Sequence, residues 1–235
     1  MPYYITRRDA HQPFDKSFSF SYYAPVLVLA STSPRRRELI TLFGLPFQFV
    51  SADVDETPRD GEAPADLVFR LSRAKAERGA QNNSNAIVIG SDTLVALDHL
   101  ILGKPRDADD ATRMLKLLRG RAHFVYSGVT VTQGEKTVTQ VAQTSVWMRE
   151  YSDDEIAAYI ATGDPFDKAA AYAIQHPFRP VARIDGCQAN VMGLPLCHLY
   201  RALREFGVAL AEPDRACQTH LDIVCPVARL ILSVQ

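Results

Sequence analysis

No stretch of this chain is apolar for long enough to cross a bilayer. The one apolar run near its start, Ala24 to Ala30, falls far short of the ~20 residues a span needs, and Pro25 stands inside it. A secretory apolar segment is the rival reading of that run, but the chain passes from it directly into Ser-Thr-Ser-Pro-Arg-Arg, which reads as strand-to-helix punctuation. Cysteine is scarce as well: Cys187, Cys197, Cys217 and Cys225 form no CxxC pair, and no histidine is placed to complete a tetrahedral zinc site with them. Unpaired, mostly buried thiols suit a reducing compartment, so a cytoplasmic location is expected. An excess of one charge is missing too. Lys and Arg total 26 against 27 Asp and Glu, a formal charge of -1, so nothing global recruits nucleic acid or an anionic membrane surface, and any basic site is local. No GxxxxGK[ST] or GxGxxG follows a predicted strand, which removes the P-loop and dinucleotide fingerprints. Repeats, low-complexity tracts and linkers are likewise absent.

What the chain does have is length and apolar content. Its 235 residues are 47% apolar and 23% charged, enough for one substantial core or two small lobes sharing an interface. Residues 1 to 24 are polar and aromatic without a period and read as a loose extension. Regular order begins at Val26. Strands are predicted over Val26 to Ala30, Phe47 to Ser51 and Ala86 to Gly90, and helices over Pro34 to Phe43 and Ala65 to Ala80. Such alternation indicates an α/β class. Two short strands around Asp98-His99 follow, then a helix from Ala108 to Leu118 and an antiparallel pair over Ala122 to Thr132 and Thr137 to Met148, which makes the sheet mixed. Ser152 and Glu155 form a capping box opening a helix that stops at Gly163, and a last helix spans Pro195 to Phe206. Asp164 to Gln188 resists assignment by pattern, and the tail from Ala211 shows no legible role.

Five short segments carry candidate chemistry. Ser31-Thr32-Ser33-Pro34-Arg35-Arg36 lies where a buried strand meets a helix: Ser33 can cap the helix, Pro34 suits its first turn, and the free N–H groups there favour an anion. Arg35 and Arg36 add planar donors for phosphate, while Arg37 is turned about 200° from Arg35, so the three cannot face one ligand. The plain alternative is a capped helix with a solvated basic first turn, which would oppose the helix dipole. Lys75 shares a narrow helical stripe with Val68 and Leu71, so it points inward and needs an anion, unless its stem snorkels to water. Asp92, in Gly90-Ser91-Asp92-Thr93, is expected at the carboxyl end of a strand, where open sheets bind ligands; an Asx-turn closing that strand is the structural alternative. Lys104 in Gly103-Lys104-Pro105 reads either as a fixed cation or as part of a turn. Asp167-Lys168 precedes Gln175, whose amide can read a base edge or bond the backbone. Together these describe a cleft with a helix start, several cations and a carboxylate, the parts phosphoryl chemistry requires.

The segments LASTSPRRRELI, DVDETP, RLSRAKA, IVIGSDTLV, ILGKPRDADDA, DPFDKAAAYAIQ and NVMGLPL, in this order across residues 26 to 207, resemble the Maf family of nucleotide pyrophosphatases. The resemblance implies a two-lobed fold similar to inosine-triphosphate pyrophosphatases, with a central mixed sheet flanked by helices around an active-site cleft. It also implies a homodimer, a domain over residues 25 to 210, and a nucleoside triphosphate as the small-molecule substrate. By resemblance, Asp92 is the general base that activates water, and Glu56 is a second acid beside a divalent metal, Mg²⁺ or Mn²⁺, that Asp92 also touches. Ser31, Ser33, Arg36, Lys75 and Lys104 hold the triphosphate, with Asp167 and Lys168 beside them, while Arg35, Thr93 and Gln175 correspond to base-selecting positions. The Asp-Lys-Ala...Tyr...Ile-Gln segment is similar to the dTTP/UTP branch. The alternatives are the branch acting on 7-methyl-GTP and a nucleotide-binding regulator of septum formation without turnover. One departure stands out: Ala170, Ala173 and His176 occupy places where that branch has glycine. Wherever such a site needs positive φ, the substitution costs roughly 1 kcal/mol or more and shifts the loop.

Overall fold

The computed structural model describes residues 25–175 and 177–233; the N-terminal extension and His176 lie outside the described residues. One seven-stranded sheet organises them: β1 (Leu27–Ala30), β2 (Phe47–Val50), β3 (Ile87–Leu97), β4 (Leu100–Leu102), β5 (Ala122–Gln133), β6 (Lys136–Met148) and β7 (Val181–Asp185). The helices are α1 (Pro34–Ile40), α2 (Pro64–Ala80), α3 (Ala108–Leu118), α4 (Asp153–Ala161), α5 (Gln188–Val191), α6 (Leu196–Arg204), α7 (Asp214–Leu221) and α8 (Ala228–Ser233). Strand order is β2-β1-β3-β5-β6-β7, with β4 paired to β3. β1 lies parallel to β2 and β3, and the remaining pairs are antiparallel. The parallel strands are joined by helical crossovers and the long antiparallel pair β5–β6 by a tight turn at Gly134 (φ 58), as their connection lengths require. The sheet is thus mixed and the class α/β, as expected. No helix among the described residues is long and apolar enough to cross a membrane.

The most consequential difference from the sequence reading is the length of β3. It does not stop at Gly90 but runs eleven residues to Leu97, so Asp92 lies inside a strand and not at its carboxyl end, and no Asx-turn closes it. The strand continues because it exchanges partners. β1 is in register with Ile87 to Gly90 and ends there, whereas β5 accompanies β3 from Val88 to Ala96 and β4 joins from Val95. Asp92 therefore sits in the gap on one edge of β3 where β1 has ended and β4 has not begun. The rule that ligands bind beyond strand ends holds for the neighbour β1 instead.

α2 lies on β3 and β5 at van der Waals closeness because two facing positions lack side chains. A Cβ on Gly90 would come within 2.2 Å of the Ser72 carbonyl oxygen, and one on Gly128 within 2.2 Å of the Val68 carbonyl oxygen. On the opposite face of the sheet two apolar clusters form. Leu29, Leu39, Ile89, Val131, Leu199 and Leu203 belong to one; Val95, Leu97, Leu115, Val125, Val146 and Ile156 belong to the other. Ser91 and Thr93 fall between them on β3.

Two regions that pattern left open acquire structure. Asp164 to Gln188 holds 3₁₀ turns at Asp164–Asp167 and Ala169–Ala171 and then β7. The tail beyond residue 210 forms α7 and α8, which dock on α6: Cys217 is buried in the same cluster as Leu199 and Leu203, and Leu221, Val227 and Leu232 pack against it. Its contacts are tertiary and widely separated along the chain, which is why no local period announces it. Smaller corrections concern ends. The predicted Pro34 to Phe43 helix is α1 followed by a 3₁₀ turn, Thr41–Phe43, stopped by Gly44 in the left-handed region. The capping box of Ser152 and Glu155 is present as expected.

Candidate active site

A cavity of about 760 Å³ opens at the gap beside β3, and all of the candidate residues line it: Ser31, Ser33, Arg35, Arg36, Glu56, Lys75, Asp92, Thr93, Lys104, Asp167, Lys168 and Gln175. Two of its buried charges come from α2 and β3. Lys75 is only 8% exposed and Asp92 7%, so each needs the other. Lys75 Nζ donates to Asp92 Oδ1 at 2.6 Å and stands 2.6 Å from Glu56 Oε1. One ammonium thus joins two carboxylates from segments 36 residues apart in sequence, and the inward stripe of Val68, Leu71 and Lys75 is the reason it can.

The α1 start is positioned differently from expectation. Ser33 occupies the cap position, but its side chain makes no capping bond; its own N–H donates to Ser31 Oγ at 3.2 Å. Arg36 is half-buried and works as a clamp within the protein: Nε donates to the Gly193 carbonyl at 2.8 Å, Nη1 to the Ser91 carbonyl at 2.9 Å and Nη2 to Thr93 Oγ1 at 3.0 Å. Burial lowers its pKa, partly offset by Asp92 and Glu56. Three of its five N–H donors are committed to the protein, which leaves two for a ligand. The Thr93 hydroxyl is likewise occupied, by Arg36 and by Ser127 Oγ at 2.8 Å. Arg37 turns away from the cavity and lies over the Phe49 ring at 5.0 Å, as the 200° offset required.

The opposite wall is the 167–175 segment. Lys168, 4% exposed, donates to Asp164 Oδ1 at 2.8 Å, the Asp164 carbonyl at 2.6 Å and Asp167 Oδ1 at 2.6 Å. Its three protons are therefore all engaged within the loop, and its ammonium orders that wall in preference to reaching across the cavity. Asp167 also faces Arg35 Nη1 at 3.6 Å. Lys104 is exposed at the cavity and makes no hydrogen bond or ion pair among the described residues. Gln175 is exposed at the same wall. Ala170 (φ 57) and Ala171 (φ 62) are both left-handed, so the missing glycine at 170 does carry its backbone cost, whereas Ala173 is not left-handed.

Sequence reasoning passed over Tyr172 and the Met192-Gly193 pair, which also line the cavity. Gly193 (φ 106) accepts from Arg36 and Ser91. A glycine directly after a short helix, inside NVMGLPL, is the signal that could have singled it out. Among the described residues no three His, Cys, Asp or Glu side chains gather as a metal cage. Glu56 and Asp92 nevertheless both reach the Lys75 ammonium, and such a pair of hard oxygen donors would suit Mg²⁺ or Mn²⁺ with substrate phosphates and water completing the coordination.

Known proteins are similar to this chain in sequence. The chain is 47% identical over 184 residues to a dTTP/UTP pyrophosphatase of Geotalea uraniireducens, covering 77% of this chain and 95% of that protein. It is 46% identical over 188 residues to one of Dictyoglomus turgidum (78% and 97%) and 44% identical over 183 residues to one of Bacillus cereus (77% and 96%). The family described as Maf-like protein matches residues 26–206, from the first residues of the sheet to the end of α6, and so takes in every residue that lines the cavity. The chain belongs to the Maf-like protein family.

Proposed function

We propose that this chain hydrolyses dTTP and UTP, and modified pyrimidine nucleotides like them, to the monophosphate and pyrophosphate, a house-cleaning activity. The observation that carries this reading is the meeting of Asp92, Glu56 and Lys75 in a cavity whose rim adds the cations Arg35 and Lys104. Relatives named for that reaction over nearly their whole length support the choice of substrate.

Asp92 gives one carboxylate oxygen to Lys75, and its Oδ2 accepts no hydrogen bond among the described residues. That oxygen takes the proton from a water molecule as the water attacks the α-phosphorus. The bond between the α-phosphorus and the bridging oxygen breaks, and its electron pair leaves with pyrophosphate. Lys104, Arg35 and the two uncommitted donors of Arg36 offset the charge growing on that leaving group. When bound, a divalent cation held by Glu56 and Asp92 supplies further neutralisation of the phosphate oxygens. Thr93 and Gln175 face the base, with Gln175 free to present its amide. A homodimer and a cytoplasmic location complete the reading; the free state of Cys187, Cys197, Cys217 and Cys225 supports the second.

The test is pyrophosphate release from dTTP, UTP and 7-methyl-GTP in competition, with Mg²⁺ or Mn²⁺. Asp92→Asn is expected to lower turnover of dTTP and UTP by about 10²- to 10⁴-fold. A fully active variant removes Asp92 from the chemistry, preference for 7-methyl-GTP removes the pyrimidine assignment, and nucleotide binding without turnover under either metal replaces the enzyme with a regulator.

A further inference from the structure

His123 has no place in the chemistry above, yet it is built into the interior in a way that packing alone does not account for. It stands on β5 opposite Val146, is 2% exposed, and has Val125 and Val146, both buried, as its nearest strand neighbours. Burial holds its pKa down to about 4, so the imidazole is neutral. Its Nε2 lies 2.7 Å from the Tyr172 hydroxyl, with the two rings edge to face at 5.4 Å. Its Nδ1 has no partner among the described residues. A buried ring nitrogen left unpaired in apolar surroundings destabilises the fold, and a phenylalanine or leucine there would avoid that cost. The one interaction that only a polar side chain at 123 can make is the bond to Tyr172.

Tyr172 stands within the cavity wall. Asp167 and Lys168 precede it, Ala173, Ile174 and Gln175 follow it, and all of them line the cavity. Immediately before it the backbone passes through two consecutive left-handed residues, Ala170 and Ala171, a conformation that L residues leave when nothing holds them. Beside the Arg35–Asp167 ion pair and the Tyr159 hydroxyl at the Ala173 backbone, three ties hold it: Lys168 on Asp164 and Asp167, the Ala170 N–H on the Gly103 carbonyl at 2.8 Å, and the Tyr172 hydroxyl on His123. Of these, the first lies within the loop and the second reaches the segment that carries Lys104. The third is, among the described residues, the hydrogen bond that ties the wall to the long antiparallel strands of the sheet, where Ala170, Ala171 and Tyr172 also share an apolar cluster with Val125 and Val146.

We propose that His123 is a positioning residue which, through the Tyr172 hydroxyl, holds the 167–175 wall in the shape that receives the nucleotide. The inference rests on the pyrophosphatase reading for its kinetic expression. His123 touches no substrate, so its removal weakens binding and leaves the chemical step at Asp92 intact.

The test compares His123→Phe, Tyr172→Phe, the double variant and the conservative His123→Gln with the unaltered protein. Steady-state pyrophosphate release from UTP and dTTP is measured, and amide hydrogen exchange is followed across residues 167–175. Each phenylalanine variant is expected to raise KM about 3- to 10-fold, the effect of one lost hydrogen bond, with kcat within about 2-fold of the unaltered enzyme. The double variant should be no worse than either single one, because both remove the same bond. His123→Gln should recover part of the loss, and exchange in the wall should quicken in the phenylalanine variants only. Unchanged KM and exchange in folded variants, a fall in kcat at constant KM, or additive losses in the double variant each overturn the proposal. Should His123→Phe fail to fold, Tyr172→Phe keeps the ring and gives the same readout. If the unaltered protein releases no pyrophosphate, the functional reading fails by itself, and the exchange comparison still decides whether His123 holds the wall.

Discussion

Asp92 and Gly128 are register partners across β3 and β5, and the second makes the first useful. With no side chain at 128, the α2 backbone settles against the sheet, and Lys75 is delivered to the Asp92 carboxylate at 2.6 Å. A methyl group there would stand 2.2 Å from the Val68 carbonyl oxygen, which belongs to backbone and cannot rotate aside. Gly128→Ala is therefore expected to destabilise the fold by about 1–3 kcal/mol and to lower pyrophosphate release sharply by withdrawing Lys75. Thermal unfolding and turnover measured on the same preparation check it; an active, undisturbed variant would show that the close approach is dispensable.

Lys75 is the only cation within ion-pair distance of Asp92 or Glu56 among the described residues. Replacing it by methionine keeps the stem and leaves the buried Asp92 uncompensated. Breaking such a pair from one side costs about 3–5 kcal/mol. Lys75→Met should thus unfold earlier in denaturant, whereas Lys75→Met with Asp92→Asn should regain much of the loss, since no buried charge is then left alone. Equal stability of the single and double variants would mean that the pair is solvated and not buried.

The inward direction of Lys75 was legible because a helix repeats every 3.6 residues and Val68 and Leu71 mark its inner stripe. The α/β order, the mixed sheet and the Ser152 cap were legible for the same reason: each is a local pattern. What stayed hidden depends on neighbours distant in sequence. β3 outruns its predicted end because β5 supports it after β1 stops. Arg36 reads locally as a phosphate ligand, but Gly193, far along the chain, claims its Nε. Lys168 is a different case: Asp164 is only four residues away, but the 3₁₀ turn that folds it back has no periodic signal.

Ala170 offers a test of backbone strain. It sits at φ 57, fully buried, where a side chain costs roughly 1 kcal/mol relative to glycine. Ala170→Gly is expected to raise the melting temperature by about 2–4 °C, measured by calorimetry. A lowered melting temperature would mean that its methyl group packs well enough in the cluster with Val125 to outweigh the strain.

Acid sensitivity follows from His123, which is buried, and His198, which is half-buried. Burial pushes the pKa of both His123 and His198 down to about 4 from an ordinary 6.5. Between those values the unfolded chain binds protons that the folded chain refuses, so stability is complete above pH 6.5 and declines as pH falls toward 4. Each histidine contributes a slope of at most about 1.4 kcal/mol per pH unit. Denaturant titrations at several pH values should show the slope reduced in His198→Gln, and an identical pH profile in that variant would place its proton in solvent.

The tail makes a last prediction possible, because it lies outside the family match yet inside the fold. That match ends at residue 206, whereas α7 buries Cys217 against α6 and sets His220 Nε2 at 2.9 Å from Glu38 of α1. Among the described residues none beyond Gly193 lines the cavity. Tail and site therefore communicate only through the packing of α1 and α6. Truncation after Leu210 exposes the apolar surface that Cys217, Leu221 and Leu232 cover and removes the Glu38 contact. The melting temperature is then expected to fall by on the order of 10 °C, while kcat at 25 °C stays close to that of the full chain. A truncated protein that melts unchanged would show that the two helices add nothing to the core, and one that keeps its fold but loses turnover would show that α1 needs the brace to present Arg35 and Arg36.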